Sequence, residues 1–301
     1  MLKKIVKRSL LALIAIVVVV FVATFMTSGS RQVIVPLVSS QFSSEGVVSS
    51  SSGLRILTLN IAHGRKNAYN QIFLSGKTIK QNLVNIGTFL KPLNLDVVAL
   101  QEADGSSFWS GGFDHVSFLR DKSGFSYSSH GLHVNGLKIR YGTALLSRTQ
   151  PMYPYSFTFG ATPPTFSKGF VVITIAWPGD PEFKVDIVSV HLDYSRSYIR
   201  KSQIRQMLKF LRKRKRPAII MGDFNIDWNY SDGVAFRALK AKKFTTINES
   251  RLDQVTFPAS SRRLDWIFVS PELAIKDERI LKYPMSDHFA VIATIQRKFS
   301  N

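Results

Sequence analysis

The sequence predicts an α+β domain built as a four-layer sandwich, with two mainly antiparallel sheets packed face to face and helices on the outside. Three observations carry this. Short runs rich in Val, Ile and Leu recur between residues 54 and 295 and have the length and composition of strands. Only a few stretches show helical spacing of apolar residues. Several strand candidates follow one another with no helix between them, which rules out a simple parallel alternation of strand and helix.

Taken in order, the first element is an N-terminal apolar helix. Lys3, Lys4, Lys7 and Arg8 precede the run Leu10 to Met26, in which Thr24 is the single non-apolar residue. Seventeen helical residues span ~25 Å, slightly short of a ~30 Å hydrocarbon core. Phe25 and Met26 stand where a small-residue cleavage site would be expected. Residues 1–27 are therefore expected to be a retained transmembrane signal-anchor. The basic flank would stay in the cytoplasm and the rest would be extracytoplasmic, or secreted if the segment is cleaved. Residues 27–53 hold ten serines, too little apolar surface to fold, so 28–53 is expected to be a flexible tether. The apolar patch Val33 to Val38 within it has no evident place.

The catalytic-type domain then runs over 54–298. Its strand candidates are Arg55–Ile61, Val97–Gln101, Gly142–Ser147, Phe170–Ala176, Lys184–Val190, Ala218–Met221, Trp266–Val269 and Ala290–Ile295. Helices are expected over Ile79–Phe89, Tyr198–Arg214 and Gly233–Lys240. The Gly- and Ser-rich stretch 104–136, with His115, His130 and His133, reads as an insertion loop over the site.

Composition narrows the chemistry. The 301 residues are 45% hydrophobic, enough for one large core plus an appendage. The formal charge is +20, of which residues 1–52 supply only +4. The folded part is therefore basic and suited to an anionic partner. Cysteine is absent, so disulfides, thiolate metal sites and cysteine nucleophiles are excluded. Any metal must be held by carboxylates, amide oxygens or imidazoles, and oxygen ligands suit a hard ion.

Reactive side chains stand at the strand boundaries one after another: Asn60, Glu102, His191 and Asp193, Asp223 and Asn225, Asp265, and Asp287 with His288. Each alone is ordinary turn chemistry; eight in such positions are not. The ordered set Thr58-Leu59-Asn60, Gln101-Glu102, Tyr141-Gly142-Thr143-Ala144, His191-Leu192-Asp193, Gly222-Asp223-Phe224-Asn225, Leu264-Asp265-Trp266-Ile267 and Ser286-Asp287-His288 resembles the endonuclease/exonuclease/phosphatase superfamily. The resemblance covers essentially the whole of 54–295 and implies a DNase I-like fold. It also implies hydrolysis of a phosphate ester by water beside a divalent ion, Mg²⁺ or Mn²⁺.

By the same resemblance Glu102 is expected to be the main metal ligand, helped by Asn60 and Asp287. Asp223 would orient or deprotonate the attacking water, and Asn225 would hold phosphate or nucleophile. His191 and His288 would donate to phosphoryl oxygens, and Asp265 would fix the tautomer of His288. Tyr141, Asp193, Arg200 and Arg205 are expected to contact substrate. His63 lies three residues after Asn60 and reads as an ordinary loop residue.

The helix Tyr198–Arg214 carries Ile204, Met207, Leu208 and Leu211 as an apolar stripe, with Lys and Arg on the remaining positions. That basic side suits a nucleic-acid backbone, an anionic lipid, or plain solvation. Three functions are thus in play: a phosphodiesterase or endonuclease acting on nucleic acid, a hydrolase of phospholipid headgroups of phosphoinositide or sphingomyelin type, and a non-catalytic binding module. No protein partner is implied.

Overall fold

The computed structural model describes residues 2–26, 31–40, 53–136, 138–229, 231–249 and 251–298. Its strands are β1 (Arg31–Ile34), β2 (Leu37–Ser39), β3 (Leu54–Asn60), β4 (Val97–Asp104), β5 (Tyr127–Gly136), β6 (Ile139–Ser147), β7 (Met152–Thr158), β8 (Gly169–Trp177), β9 (Asp180–His191), β10 (Ala218–Asp223), β11 (Asp265–Val269), β12 (Leu273–Leu281) and β13 (Ala290–Arg297). The helices are α1 (Leu2–Met26), α2 (Gly76–Leu90), α3 (His115–Ser123), α4 (Ser197–Arg214) and α5 (Arg237–Lys240).

One sheet has the order β1-β7-β8-β9-β10-β11 and the other β12-β13-β3-β4-β6-β5-β2. Each contains one parallel pair, β9 with β10 and β3 with β4; the remaining pairings are antiparallel. A parallel pair needs a long crossover, and here α4 and α2 supply it. The two crossovers set the ends of four strands facing one another.

Strand alternation divides the apolar residues between layers. Ile56, Val97, Ala99 and Leu145 of one sheet meet Val171, Ile173, Ile187 and Met221 of the other in the inner core. The intervening Leu57, Leu59, Val98 and Leu100 face outward under Ile79, Leu83 and Ile86 of α2. Val188, Val190 and Ile220 lie under Ile204, Met207 and Leu211 of α4. Both faces of the central strands are covered, which is why they read as unbroken apolar runs. Each fully buried Leu or Ile contributes ~1.5–3 kcal/mol. The four-layer α/β/β/α sandwich is the fold expected.

Three expectations are corrected. Among the described residues no helix is long and apolar enough to cross a membrane, which overturns the membrane-anchored, extracytoplasmic placement. The side chains described on α1 are those of 3–16, 18 and 19. Its opening turns carry Lys3, Lys4, Lys7 and Arg8, so the apolar run left from Leu10 covers only ~15 Å.

The tether is partly ordered sheet. Arg31 pairs with Thr158 and Leu37 with Ser129, so residues 31–39 pass from the edge of one sheet to the edge of the other. Val35 is buried in the inner core on the way; residues 41–52 lie outside the described residues. The stretch 104–136 is likewise no insertion loop, since it forms α3 and β5.

Candidate active site

Asn60 ends β3 and is aligned with Gln101 of β4. At the next residue the β4–β6 register slips, and Glu102 takes a φ of 48°. That left-handed backbone is costly for a residue with a Cβ. It takes Glu102 out of the pairing. His191 and Asp223 end β9 and β10 and are paired in register, and Asp265 faces Asp223 from β11. Asp287 and His288 arrive from the segment that leads into β13. Asn60, Glu102, His191, Asp223, Asn225, Asp287 and His288 line one cavity of about 320 Å³. Asp265 stands behind His288, fully buried.

Asp223 is the centre of the hydrogen bonding. Its Oδ2 accepts Asn60 Nδ2 at 3.0 Å and lies 3.5 Å from His191 Nε2 and 3.9 Å from His288 Nε2. Its Oδ1 accepts the Asn225 N–H at 2.9 Å. Burial pushes the Asp223 carboxyl up, and Asp265 adds to this against the pull of His288, leaving it at about 7. For His288 burial works downward, but Asp265, 2.8 Å from Nδ1, and Asp223 outweigh it and raise the imidazole to about 10. His288 therefore holds its proton at neutral pH while Asp223 exchanges one readily. His191 is driven well below its ordinary value by burial and by Lys168, whose Nζ lies 3.1 Å from Nε2. It is neutral.

Glu102 shows the opposite balance. Burial raises its carboxyl, yet His63, Lys168, Arg65 and His288 outweigh that and keep it below the ordinary value. Asp287 accepts Arg65 at 2.6 Å. Behind Glu102, His63 Nε2 lies 3.4 Å from its Oε2, and His63 Nδ1 lies 2.5 Å from Asp104 Oδ1. Asp104 in turn accepts Trp109 Nε1 at 2.7 Å and the hydroxyl of Ser110. His63 is thus buried support for the Glu102 wall rather than an ordinary loop residue.

Four expected substrate contacts lie elsewhere. Tyr141 is buried, its ring 4.8 Å from that of His63 and 5.5 Å from Trp109. Asp193 organises the turn into α4, accepting Thr165 Oγ1, Ser195 N and Arg196 N, each at 2.9 Å. Arg200 donates to the Asp193 carbonyl at 3.1 Å. Arg205 is exposed on the outer side of α4, in a separate groove. Conversely Arg65, Lys168, Tyr194, Phe257 and Arg262 line the cavity, and lone residues of these types carry no signal in sequence. His115, His130 and His133 each bond to a backbone carbonyl or a threonine hydroxyl.

The Asp193 turn yields a stability prediction. Burial raises its carboxyl, but the Thr165, Ser195 and Arg196 hydrogen bonds outweigh this and hold it at about 2. A depressed folded value gives stability that is full above the unfolded value near ~4 and lost as pH falls towards about 2. Asp193→Asn should cost about 1–2 kcal/mol at pH ~7, after allowing for solvent screening. Urea melts should show the gap to wild type closing below pH ~3.

Comparison with known proteins bears on this constellation. A family model described as Endonuclease/Exonuclease/phosphatase family matches residues 57–288. The chain belongs to that family. Membership makes this endonuclease/exonuclease/phosphatase chain a phosphoesterase hydrolase by class. A search of the curated proteins finds no match. Similar solved structures include an endonuclease/exonuclease/phosphatase from Beutenbergia cavernae, at TM-score 0.61 and 17% identity over 82% of this chain and 72% of that one. A mannosyl-6-phosphatase from Bacteroides thetaiotaomicron matches at 0.62 and 17%, over 81% of this chain and 99% of that one. A humanized D. rerio TDP2 matches at 0.61 and 17%, over 82% and 100%. At such identities the likeness is one of fold.

Endonuclease/exonuclease/phosphatase proteins are usually metal-dependent. Ligand atoms of Asp223, Asp265 and His288 lie within 4.8 Å of one another and can hold an ion. An ion there competes with the proton that the two carboxylates keep on His288. Glu102, Asn60 and Asp287 form a second oxygen-rich set in the same cavity.

Proposed function

We propose that the chain is a divalent-metal-dependent phosphodiesterase, an endonuclease acting on nucleic acid. The observation that carries this reading is Asp223, a buried carboxyl at about 7, set against a protonated His288 and a neutral His191 in one cavity with Glu102. Asp223 takes a proton from water positioned beside it, with Asn225 as the second polar group. The His288 imidazolium donates from Nε2 to a phosphoryl oxygen, its Nδ1 proton held by Asp265. Lys168 and Arg65 add positive charge to the cavity wall.

The donor set fits a hard cation. Glu102 stays ionised, and its 3.4 Å distance to His63 leaves its oxygens weakly bonded. Glu102, with Asn60 and Asp287, would hold Mg²⁺ or Mn²⁺. A bound ion supplies charge neutralisation at the phosphoryl oxygens. Asp223, Asp265 and His288 we assign to proton handling instead.

Nucleic acid is favoured as substrate by the +20 charge and by Arg65, Lys168 and Arg262 around the cavity. A phospholipid headgroup is the second reading, favoured by Tyr194, which is 63% exposed on the cavity wall. Plasmid DNA, a phosphoinositide and sphingomyelin, each assayed with Mg²⁺ and with chelator, separate the two. DNA nicking that needs Mg²⁺ is expected, and turnover of the lipids alone would replace this reading. With saturating Mg²⁺, kcat should rise with pH as Asp223 loses its proton and fall on the alkaline side as His288 loses its own. The two limbs belong to the coupled pair. A flat kcat across this range would remove Asp223 and His288 from proton transfer.

A further inference from the structure

A second basic feature lies away from the cavity. α4 and the segment around α5 bound a groove of about 600 Å³ on the outer face of the six-stranded sheet. Lys201, Arg205, Lys209 and Arg212 line it from α4, and Arg237 and Lys242 from the facing segment. All six are exposed, no acidic residue lines the groove, and among the described residues none of the six forms an ion pair. Two separate elements thus converge their cations on one concavity with no internal counter-charge. A merely solvated helix face does not do this.

The shape selects the ligand. The four α4 cations recur every three or four residues, so they form one row with ~6 Å steps and a length of ~16 Å. Packed helices stand ~8–10 Å apart, too close to admit a duplex whose major groove alone is ~12 Å wide. An extended phosphodiester strand fits such a slot. A flat bilayer would meet only the rims. No aromatic side chain lines the groove, so it holds phosphates and does not read bases. α4 begins six residues beyond His191, so the Lys201 end is the one nearer the active site.

We propose that this groove is a second binding site, which holds a single-stranded nucleic acid by its phosphates and feeds it towards the cavity. Its link to catalysis rests on the nucleic-acid reading above; the binding itself does not.

The test uses the full chain with chelator, and fluorescence anisotropy of labelled oligothymidylate and oligouridylate across a salt series. Wild type should bind both, with log affinity falling linearly with log salt. The triple variant Lys209→Glu, Arg212→Glu, Arg237→Glu should weaken binding by about tenfold or more, and its salt slope should shrink by about 0.7 for each phosphate no longer neutralised. The matching glutamine triple should fall between the two. Both variants should hydrolyse bis(p-nitrophenyl) phosphate with Mg²⁺ like wild type, which reports intact folding. Unchanged oligonucleotide affinity and slope in both triples would overturn the proposal. So would groove-dependent binding to phosphatidylserine vesicles with groove-independent binding of the oligonucleotides. Groove-dependent oligonucleotide binding in a chain that hydrolyses no ester would uphold the groove and sink the catalytic reading instead.

Discussion

His288→Ala is expected to lower the kcat for a phosphodiester by about 10²–10⁴-fold while changing KM only slightly. The imidazole is buried, carries a proton held between Asp265 and Asp223, and faces the cavity. Its removal takes away the charge-assisted donor and leaves two buried carboxyls without the cation between them. The Asp223 carboxyl should then rise further, because His288 is the strongest influence holding it down. A milder companion, Asp265→Asn, keeps the ring in place but removes the largest support for its proton. Its alkaline limb should therefore move to lower pH. Single-turnover kinetics of both variants would check this, and His288→Ala turnover within tenfold of wild type would remove His288 from the chemistry.

Glu102→Gln should have the second-largest effect, and of a different kind. The substitution keeps size and removes the charge that His63, Lys168, Arg65 and His288 hold in place. If Glu102 is the main ligand, the Mg²⁺ concentration for half-maximal activity should rise by about 10–100-fold, with rescue at high Mg²⁺ or Mn²⁺. Calorimetric titration should show the same weakening. An unaltered metal titration with lowered kcat would move the ion to the Asp223, Asp265 and His288 group.

How much of this was legible depends on what each segment packs against. The central strands stand between a core and a helix layer, so β3, β4, β8, β9 and β10 announce themselves as apolar runs. Their ends carry the reactive residues, and that is why most of the cavity could be named in advance. β12 is an edge strand whose middle reads Lys276-Asp277-Glu278-Arg279, and charge on an edge hides the strand while it deters unwanted pairing. β7 is broken by Pro154. β5 buries Ser128, Ser129 and His133, polar residues whose partners are on other strands. Lys168 and Arg65 are two among forty basic residues, and only the folded chain selects them. Asp193 shares a motif with His191, yet the chain turns between them and commits the carboxylate to hydrogen bonds of its own loop. At the N-terminus, a run of apolar letters promised more than the described helix delivers.

The position of β13 has a consequence for when the molecule becomes competent. This strand lies between β12 and β3, although β3 was made more than two hundred residues earlier. Throughout most of translation β3 therefore shows an unpaired edge, and Asp287 and His288 are not yet in place. All the strands of the other sheet precede them in the chain. A nascent chain can thus complete one sheet, bury its helices and still lack a working centre until the last strand leaves the ribosome and docks. The chain's own order acts as a timer, keeping a hydrolase silent during its synthesis without any inhibitor or pro-segment.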